Sequence, residues 1–364
     1  MRPTYLEVNL PQLKQNLANI RAQVAPAKVM AVLKANAYGH GVDGIAPYIA
    51  PYSDYIGVAI VEEGIHLREI GIEKPILVMG GALPNQIHDF VKYDLTLAAS
   101  SPELLDAAER AAQTAKKRLK AHLKIDTGME RIGVHEYEAD AFIQRSLACS
   151  HLDIEGIFTH FANSDASDLT HAKVQLERFQ EVLHVYEKLG VPQPPIRHTA
   201  NSGAILQLPE SYLDMVRPGV MFYGIYPSRD VMRTVEVKPA LTWYSRVAYS
   251  KITQPDRPVS YGSLWQSEAP TRIVTIPCGY ADGYFRRMTN QAQVIINGKK
   301  YPQVGRICMD QFMVNVGNDE PKVGDEVILL GAGITAEDFA DWTGTNEYEV
   351  MTNIGPRVPR VFIK

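Results

Sequence analysis

Lys34 stands at the end of the apolar run KVMAVL, and Tyr38 follows within KVMAVLKANAYGHG. An amine that ends a buried strand either meets water or does covalent chemistry on a carbonyl. Other reactive or charged groups fall at comparable points: Arg131 follows AHLKIDTGME, His160 follows IEGIFT, Asn201 and Ser202 follow PIRHTA, and Arg217 follows DMV. Each alone reads as a solvated strand end. Together, an amine, two guanidiniums, an imidazole and an amide–hydroxyl pair suit an anionic ligand that carries a carbonyl. ANSGAIL opens a helix at Asn201-Ser202-Gly203, where unbonded N–H groups and a positive dipole end fit a phosphate. RPGVMFYG offers a second tight turn at Gly219 and Val220. Both turns are also what plain loop geometry yields. A phosphorylated aldehyde bound there would bring its carbonyl to a lysine on another strand, which makes pyridoxal phosphate the candidate.

These groups need a frame that gathers strand ends. From residue 27 to about residue 220, short runs rich in Val, Ile and Leu alternate with stretches of helical period. The strands are read as KVMAVL, YIGVAI, PILVMG, LTLAA, AHLKI, IEGIFT, PIRHT and DMV. Helices are expected in SPELLDAAERAAQTAKK, opened by Ser100 with Glu103 three residues on, and in LTHAKVQLERFQEVLHVYEKLG, closed by Gly190. Eight alternating units predict an α/β fold, a (β/α)8 TIM-like barrel whose chemistry lies at the C-terminal strand ends. After about residue 235 the pattern becomes strands and turns, including an Asn297-Gly298 hairpin signal, and only TAEDFADWTG reads as helical. The expected domains are therefore 1–232, a barrel that binds pyridoxal phosphate, and 233–364, a mostly β domain. The early strand YLEVNL fits either.

Composition narrows the class. The 364 residues are 46% apolar, with 37 basic and 41 acidic side chains and a net charge of -4, so no nucleic-acid partner is indicated. Neither a secretory leader nor a membrane-spanning run is read, and a soluble, cytoplasmic protein is expected. Three scattered cysteines, Cys149, Cys278 and Cys308, suggest neither disulfides nor a zinc set, and no metal is expected.

KANAYGHG, KIDTGMERIG, FTHFANSD, HTANSGA, VRPGVMFYGIYP, VSYGS, PCGYADGY, GRICMDQ and YEVMTNIGPRVPR, in that order, resemble the alanine racemase family. The resemblance runs from about residue 5 to the C-terminus and implies a homodimer dependent on pyridoxal 5'-phosphate. It implies that Lys34 carries the cofactor as a Schiff base and that Tyr38, Ser202, Gly219, Val220 and Tyr348 hold its phosphate beside Asn201. Arg217 is expected at the pyridine nitrogen, and Arg131 at the phenolate oxygen and the substrate carboxylate. His160 is expected between Arg217 and Tyr261. The Met309 backbone is expected to face the carboxylate, with Asp310 beside it, and Tyr280 and Tyr348 to narrow the entrance. Tyr261, Tyr280 and Met309 would serve the site of the other subunit. Lys124 aligns with a lysine that some members carbamylate to hold the arginine. Glu130 departs from the family's usual small residue and could alter the orientation or charge of Arg131.

Racemisation removes a proton from one face of a carbon and returns one on the other, so it calls for two bases. Lys34 supplies one and Tyr261 the other. An ordinary phenol of pKa about 10 is only about 0.1% ionised at pH 7, so a hydrogen bond from His160 under the influence of Arg217 would help. The expected activity is the interconversion of L- and D-alanine, which in bacteria supplies D-alanine for cell-wall synthesis. A racemase for serine, ornithine or several amino acids is the main alternative. A non-catalytic pyridoxal-phosphate-binding protein would lack the β domain and Tyr261. A decarboxylase of the same architecture would show an acidic group at the pyridine in place of Arg217.

Overall fold

The computed structural model describes residues 2–364. The chain forms two compact units: Leu13–Ala37 with Val42–Lys238, and residues 2–12 with Tyr38–Gly41 and Pro239–Lys364. The first strand, β1 (Tyr5–Asn9), lies in the second unit, where it pairs with strands from the C-terminal third.

The first unit is a barrel of β2 (Lys28–Val32), β3 (Tyr55–Val58), β4 (Ile76–Val78), β5 (Thr96–Ala99), β6 (Leu119–Asp126), a two-residue β7 (Val134–His135) beside β6, β8 (Leu152–Phe158), β9 (Ile196–His198) and β10 (Met215–Val216). All eight expected strands are present and parallel, in the order β10-β2-β3-β4-β5-β6-β8-β9. Between β9 and β10 the ladder is replaced by two bonds, from Asp214 N–H to the Arg197 carbonyl (3.0 Å) and from Arg217 N–H to the Ala200 carbonyl (3.0 Å), which nearly close the ring. The strands read as continuous apolar runs because both faces are covered; β3, β4 and β5 are buried at every position. Met30, Tyr55, Leu77, Ala98, Phe158, Ile196 and Met215 form one core cluster.

The expected helices lie at Pro102–Ala115 and Thr170–Leu189. The first corrects its expected cap: Ser101, not Ser100, accepts the Leu104 N–H at 3.2 Å. Pro102 occupies the first helical position, where its missing N–H costs nothing, and this leaves Ser100 outside the helix. Gly190 closes the second helix at φ 68°.

The second unit is built on β11 (Leu241–Arg246), β12 (Tyr249–Thr253), β13 (Thr271–Ile276), β14 (Gln293–Ile296), β15 (Lys299–Val304), β16 (Phe312–Gly317), β17 (Glu326–Leu330) and β18 (Arg360–Ile363). With β1 they form one sheet, β12-β13-β16-β15-β14-β17-β11-β1-β18. Burial alternates along β11 and β16, as a sheet covered on one face requires. Trp243, Tyr284, Phe312 and Phe339 pack beneath, with Tyr284 and Phe312 stacked at 4.4 Å. Asn297 and Gly298 turn β14 into β15 with positive φ at both residues. TAEDFADWTG forms the helix Ala336–Thr343, but a second helix at Glu347–Thr352 overturns the expectation of only one here. Its single turn and a half carries almost no periodic signal; Asn346, which accepts the Glu349 N–H at 2.9 Å, was the available cue. Among the described residues no helix is long and apolar enough to cross a membrane.

Candidate active site

Lys34 lies two residues beyond β2, at the head of a turn in which Ala35, Asn36, Ala37 and Tyr38 have φ between 51° and 53°. Left-handed backbone costs L-residues roughly 1–2 kcal/mol each, so the surroundings must hold it. They do so at several points. Ala37 N–H donates to the Leu33 carbonyl (3.0 Å), and the Asn36 side chain accepts from Val42 N–H (2.8 Å). Glu63 accepts from Ala59 N–H (2.8 Å) as well as from Ala35 N–H, tying the end of β3 to the turn. Burial pushes the half-buried Lys34 amine below the usual lysine range; Arg131 adds to this and Glu63 opposes it.

Arg131 ends a turn organised by Asp126, the last residue of β6. The Asp126 carboxylate accepts from the N–H groups of Gly128 (2.9 Å), Met129 (2.9 Å), Glu130 (3.2 Å) and Arg131 (3.1 Å). Burial alone would raise this carboxyl, but the four donors outweigh it and hold the pKa down. The Glu130 carboxylate turns to His135 Nε2 at 3.1 Å. Lys124 is buried with its Nζ 4.5 Å above the Phe158 ring. Burial, followed by Arg217 and Arg131, drives its pKa well down.

Arg217 is 3% exposed at the end of β10. Nη1 donates to His198 Nδ1 (2.9 Å), and Nη2 to the carbonyls of Thr159 (2.8 Å) and Thr199 (2.9 Å) and to His160 Nδ1 (3.3 Å). Among the described residues these partners leave Nε–H and the second N–H of Nη1 as the remaining donors. Burial pushes the guanidinium down to about 9, which still leaves a cation at pH 7. His160 is held well below the usual imidazole range by burial and then by Arg217, Lys124, Arg131 and Lys34. Since its Nδ1 accepts from Arg217, a neutral His160 carries its proton on Nε2.

Asn201 caps the short helix Ser202–Gln207, accepting from Ala204 N–H (3.1 Å) and from the Ser164 hydroxyl (2.6 Å). Ser202 Oγ accepts from the N–H groups of Gly219 (2.9 Å) and Met221 (3.5 Å), so its own O–H is left to donate. Val220 opens the 3₁₀ turn Val220–Tyr223, and its N–H has no partner within that turn. Gly203 is required, because a Cβ there would lie 2.5 Å from the Ser164 carbonyl oxygen. The barrel unit thus brings together Lys34, Lys124, Arg131, His160 and Arg217, and it links Ser202 to Gly219. An amine of lowered pKa, an anion cradle and a buried cation with donors to spare suit a phosphorylated carbonyl compound that has a basic ring nitrogen.

The β unit holds the remaining expected residues. Tyr38 is buried, with its ring 6.2 Å from that of Tyr348. Tyr261 is 71% exposed at the start of the turn Tyr261–Ser263. The Ser260 hydroxyl, donating to the Arg306 carbonyl at 2.6 Å, fixes that turn from behind. Tyr280 and Met309 are both exposed and are locked together. Tyr280 N–H donates to the Cys308 carbonyl (3.1 Å) and Ala281 N–H to the Met309 carbonyl (3.0 Å). Asp310 pairs with Arg357 (2.8 Å), which also reaches the buried Asp282 (3.1 Å).

Sequence reasoning missed Glu63, Asp126, Asp282 and His198. His198 and Asp126 had a visible cue, each being the polar last residue of a barrel strand.

The family model "Alanine racemase, N-terminal domain" matches residues 8–227, and "Alanine racemase, C-terminal domain" matches 240–362. An alanine racemase of Carboxydothermus hydrogenoformans is 45% identical over 370 residues, covering 100% of both chains. The structure of an alanine racemase of Clostridium difficile 630 superposes with a TM-score of 0.95 at 37% identity, covering 100% of this chain and 96% of the other. That of Bartonella henselae, described with covalently bound pyridoxal phosphate, gives 0.91 at 28% identity and covers 100% of both.

Proposed function

Because this chain belongs to the alanine racemase family, we propose that it interconverts L- and D-alanine with pyridoxal 5'-phosphate and two bases, Lys34 and Tyr261. The observation that carries this reading is the convergence of Lys34, Lys124, Arg131 and Arg217 around His160. Such a cluster suits a ligand with both a phosphate and a carboxylate.

The donor set fits the cofactor. Lys34 would bind its aldehyde carbon covalently. Ser202, Gly219 and Val220, with Asn201 behind them and Tyr38 and Tyr348, would take its phosphate, and the Arg217 Nε–H its ring nitrogen. When bound, this cofactor supplies an electron-withdrawing ring that makes the α-hydrogen of an attached amino acid acidic. Everything else falls to the chain. Arg131 orients the alanine carboxylate, assisted by the Met309 N–H. The lowered pKa of Lys34 raises the fraction of free amine at neutral pH, the form able to take a proton from the α-carbon. Tyr261 exchanges a proton at the opposite face. The Nε2–H of neutral His160 donates to the Tyr261 oxygen and stabilises it when ionised. Arg217, as a fixed cation, opposes protonation of a ring nitrogen beside it by about 5 kcal/mol at about 3 Å and an effective dielectric near 20.

We place Tyr261, Tyr280 and Met309 in the site of the partner subunit, which makes the working unit a cytoplasmic homodimer. Asp310 and Lys124 support Met309 and Arg131. Its product D-alanine would serve cell-wall synthesis. The test is chiral analysis after the purified protein, supplied with the cofactor, is incubated separately with L-alanine, L-serine and L-ornithine. Fast conversion of alanine alone supports the reading; faster conversion of serine or ornithine replaces the substrate, and none with any of them removes the activity.

A further inference from the structure

Arg217 is a buried cation, and among the described residues no carboxylate touches it; two carbonyls and two imidazoles are its partners. A buried charge without compensation is costly. The hydrogen bonds that leave Arg217 through His198 lead to an anion. His198 Nε2 lies 2.8 Å from His122 Nδ1, and His122 Nε2 lies 3.4 Å from Glu155 Oε1. Glu155 also accepts from the Tyr55 hydroxyl and pairs with Lys120 at 3.3 Å, near the N-terminal end of β6. The series therefore crosses the barrel interior from the C-terminal rim toward the opposite end.

Its direction follows from its ends. A guanidinium only donates, so His198 Nδ1 accepts and the His198 proton sits on Nε2. That proton points at His122 Nδ1, which must accept, and this places the His122 proton on Nε2, facing Glu155. An ionised carboxylate only accepts, so both ends demand the same arrangement. The rings are held against rotation. Phe158 stacks on His198 at 4.7 Å and 6°, and Tyr55 meets His122 edge-on at 5.6 Å. Gly156, opposite His122 in the β6–β8 pairing, makes the room: a Cβ there would sit 2.4 Å from His122 Nδ1.

We propose that Glu155, His122 and His198 form a one-way hydrogen-bond relay that compensates the buried charge of Arg217 and fixes its guanidinium at the rim. They are positioning residues that act through Arg217. The groups facing them agree with neutral imidazoles. Burial lowers both histidines; Arg217 and Lys124 add to this at His198, while at His122 Glu155 opposes and Arg217 and Lys120 add. For Glu155, burial alone would raise the pKa, but His122, Tyr55 and Lys120 bring it to about 2. The relay stands on hydrogen-bond geometry; its effect on turnover rests on the reading of Arg217 as the residue at the cofactor ring.

Two turnover-free measurements test the relay. Neutron diffraction from deuterium-exchanged holoenzyme crystals should show deuterium on Nε2 of both His198 and His122 and none on either Nδ1. Deuterium on either Nδ1 overturns the relay. A double-mutant cycle in urea, with cofactor saturating, should show Glu155→Gln lowering the unfolding midpoint at least twice as far in the parent as in Arg217→Met. Glu155→Asp, which keeps the charge, should recover much of the loss. Equal shifts in the two backgrounds, or no recovery by Asp, would mean that Glu155 acts independently of Arg217. A kcat about fivefold lower in Glu155→Gln, with KM for alanine within twofold, extends the relay to catalysis. If the neutron and urea results hold while kcat is unchanged, the reading of Arg217 fails and the relay stands.

Discussion

The Glu63 carboxylate lies 2.6 Å from the backbone nitrogen of Ala35, the residue directly after Lys34. One side chain thus anchors the turn that presents the amine and places a negative charge close enough to act on it. Glu63→Gln keeps an acceptor for Ala35 N–H but removes the charge. The midpoint for labelling of Lys34 by an amine-reactive reagent in the cofactor-free protein should move to lower pH. Glu63→Ala also frees the turn and should lower kcat by at least about tenfold, as loss of placement at a reacting atom does.

The left-handed turn makes a second prediction. A Cβ on Gly39 would lie 2.1 Å from the Met351 carbonyl oxygen, and Gly39 itself sits at φ 79°. Gly39→Ala should cost at least about 2 kcal/mol in urea denaturation. Ala35→Gly, at φ 53° on an exposed residue, should change stability by less than about 1 kcal/mol, because relief of strain offsets the freer unfolded chain.

The barrel frame was legible because eight short runs alternate with helices and most are apolar and buried, although the last, DMV, is a strand of only two residues. That reading led directly to Lys34, Arg131, His160, Ser202 and Arg217, since barrel chemistry gathers where strands end. The residues that hold those groups were not legible. Glu63 lies 28 positions from the Ala35 N–H it accepts, and His122 lies 76 from His198. Spacings of that kind carry no periodic signal. Alanine does not announce positive φ, so the turn from Ala35 to Tyr38 was invisible. Ser100 and Ser101 both look like helix caps, and only the place of Pro102 separates them. Glu130 was expected to bear on the orientation or charge of Arg131, and that its carboxylate turns to His135 could not be read from the sequence.

Stability should fall on the acid side. His122, His160 and His198 have folded pKa values lowered by burial, so the unfolded chain binds more protons once pH drops below the ordinary imidazole value of about 6.5. Their neutral forms impose no penalty above that pH. Glu155 and Asp126, also lowered, contribute stability above the usual carboxylate range and lose it as pH falls through their folded values. Lys34 and Lys124, whose amines are also lowered by burial, act in the same direction above neutrality, so the urea midpoint should not fall from about pH 7 to 8 and should decline steadily below about 6.5. A midpoint that rises between pH 6.5 and 5 would contradict this assignment.

Arg217 should set the balance between racemisation and transamination. Placed at the ring nitrogen as proposed, this cation would keep that nitrogen neutral and weaken the ring as an electron sink, leaving less time for wrong-site protonation. Arg217→Glu should raise the ratio of transamination to racemisation by about tenfold or more, measured as pyruvate formed per enantiomer interconverted. An unchanged ratio would remove Arg217 from that role.

The most direct test of two bases on opposite faces is α-hydrogen exchange in heavy water by Tyr261→Phe, followed separately from L- and from D-alanine by NMR. Racemisation should fall by at least about a hundredfold, while Lys34 continues to exchange the α-hydrogen of one enantiomer only. Exchange from both enantiomers at the parent rates would show that Tyr261 is not a base and would contradict the account.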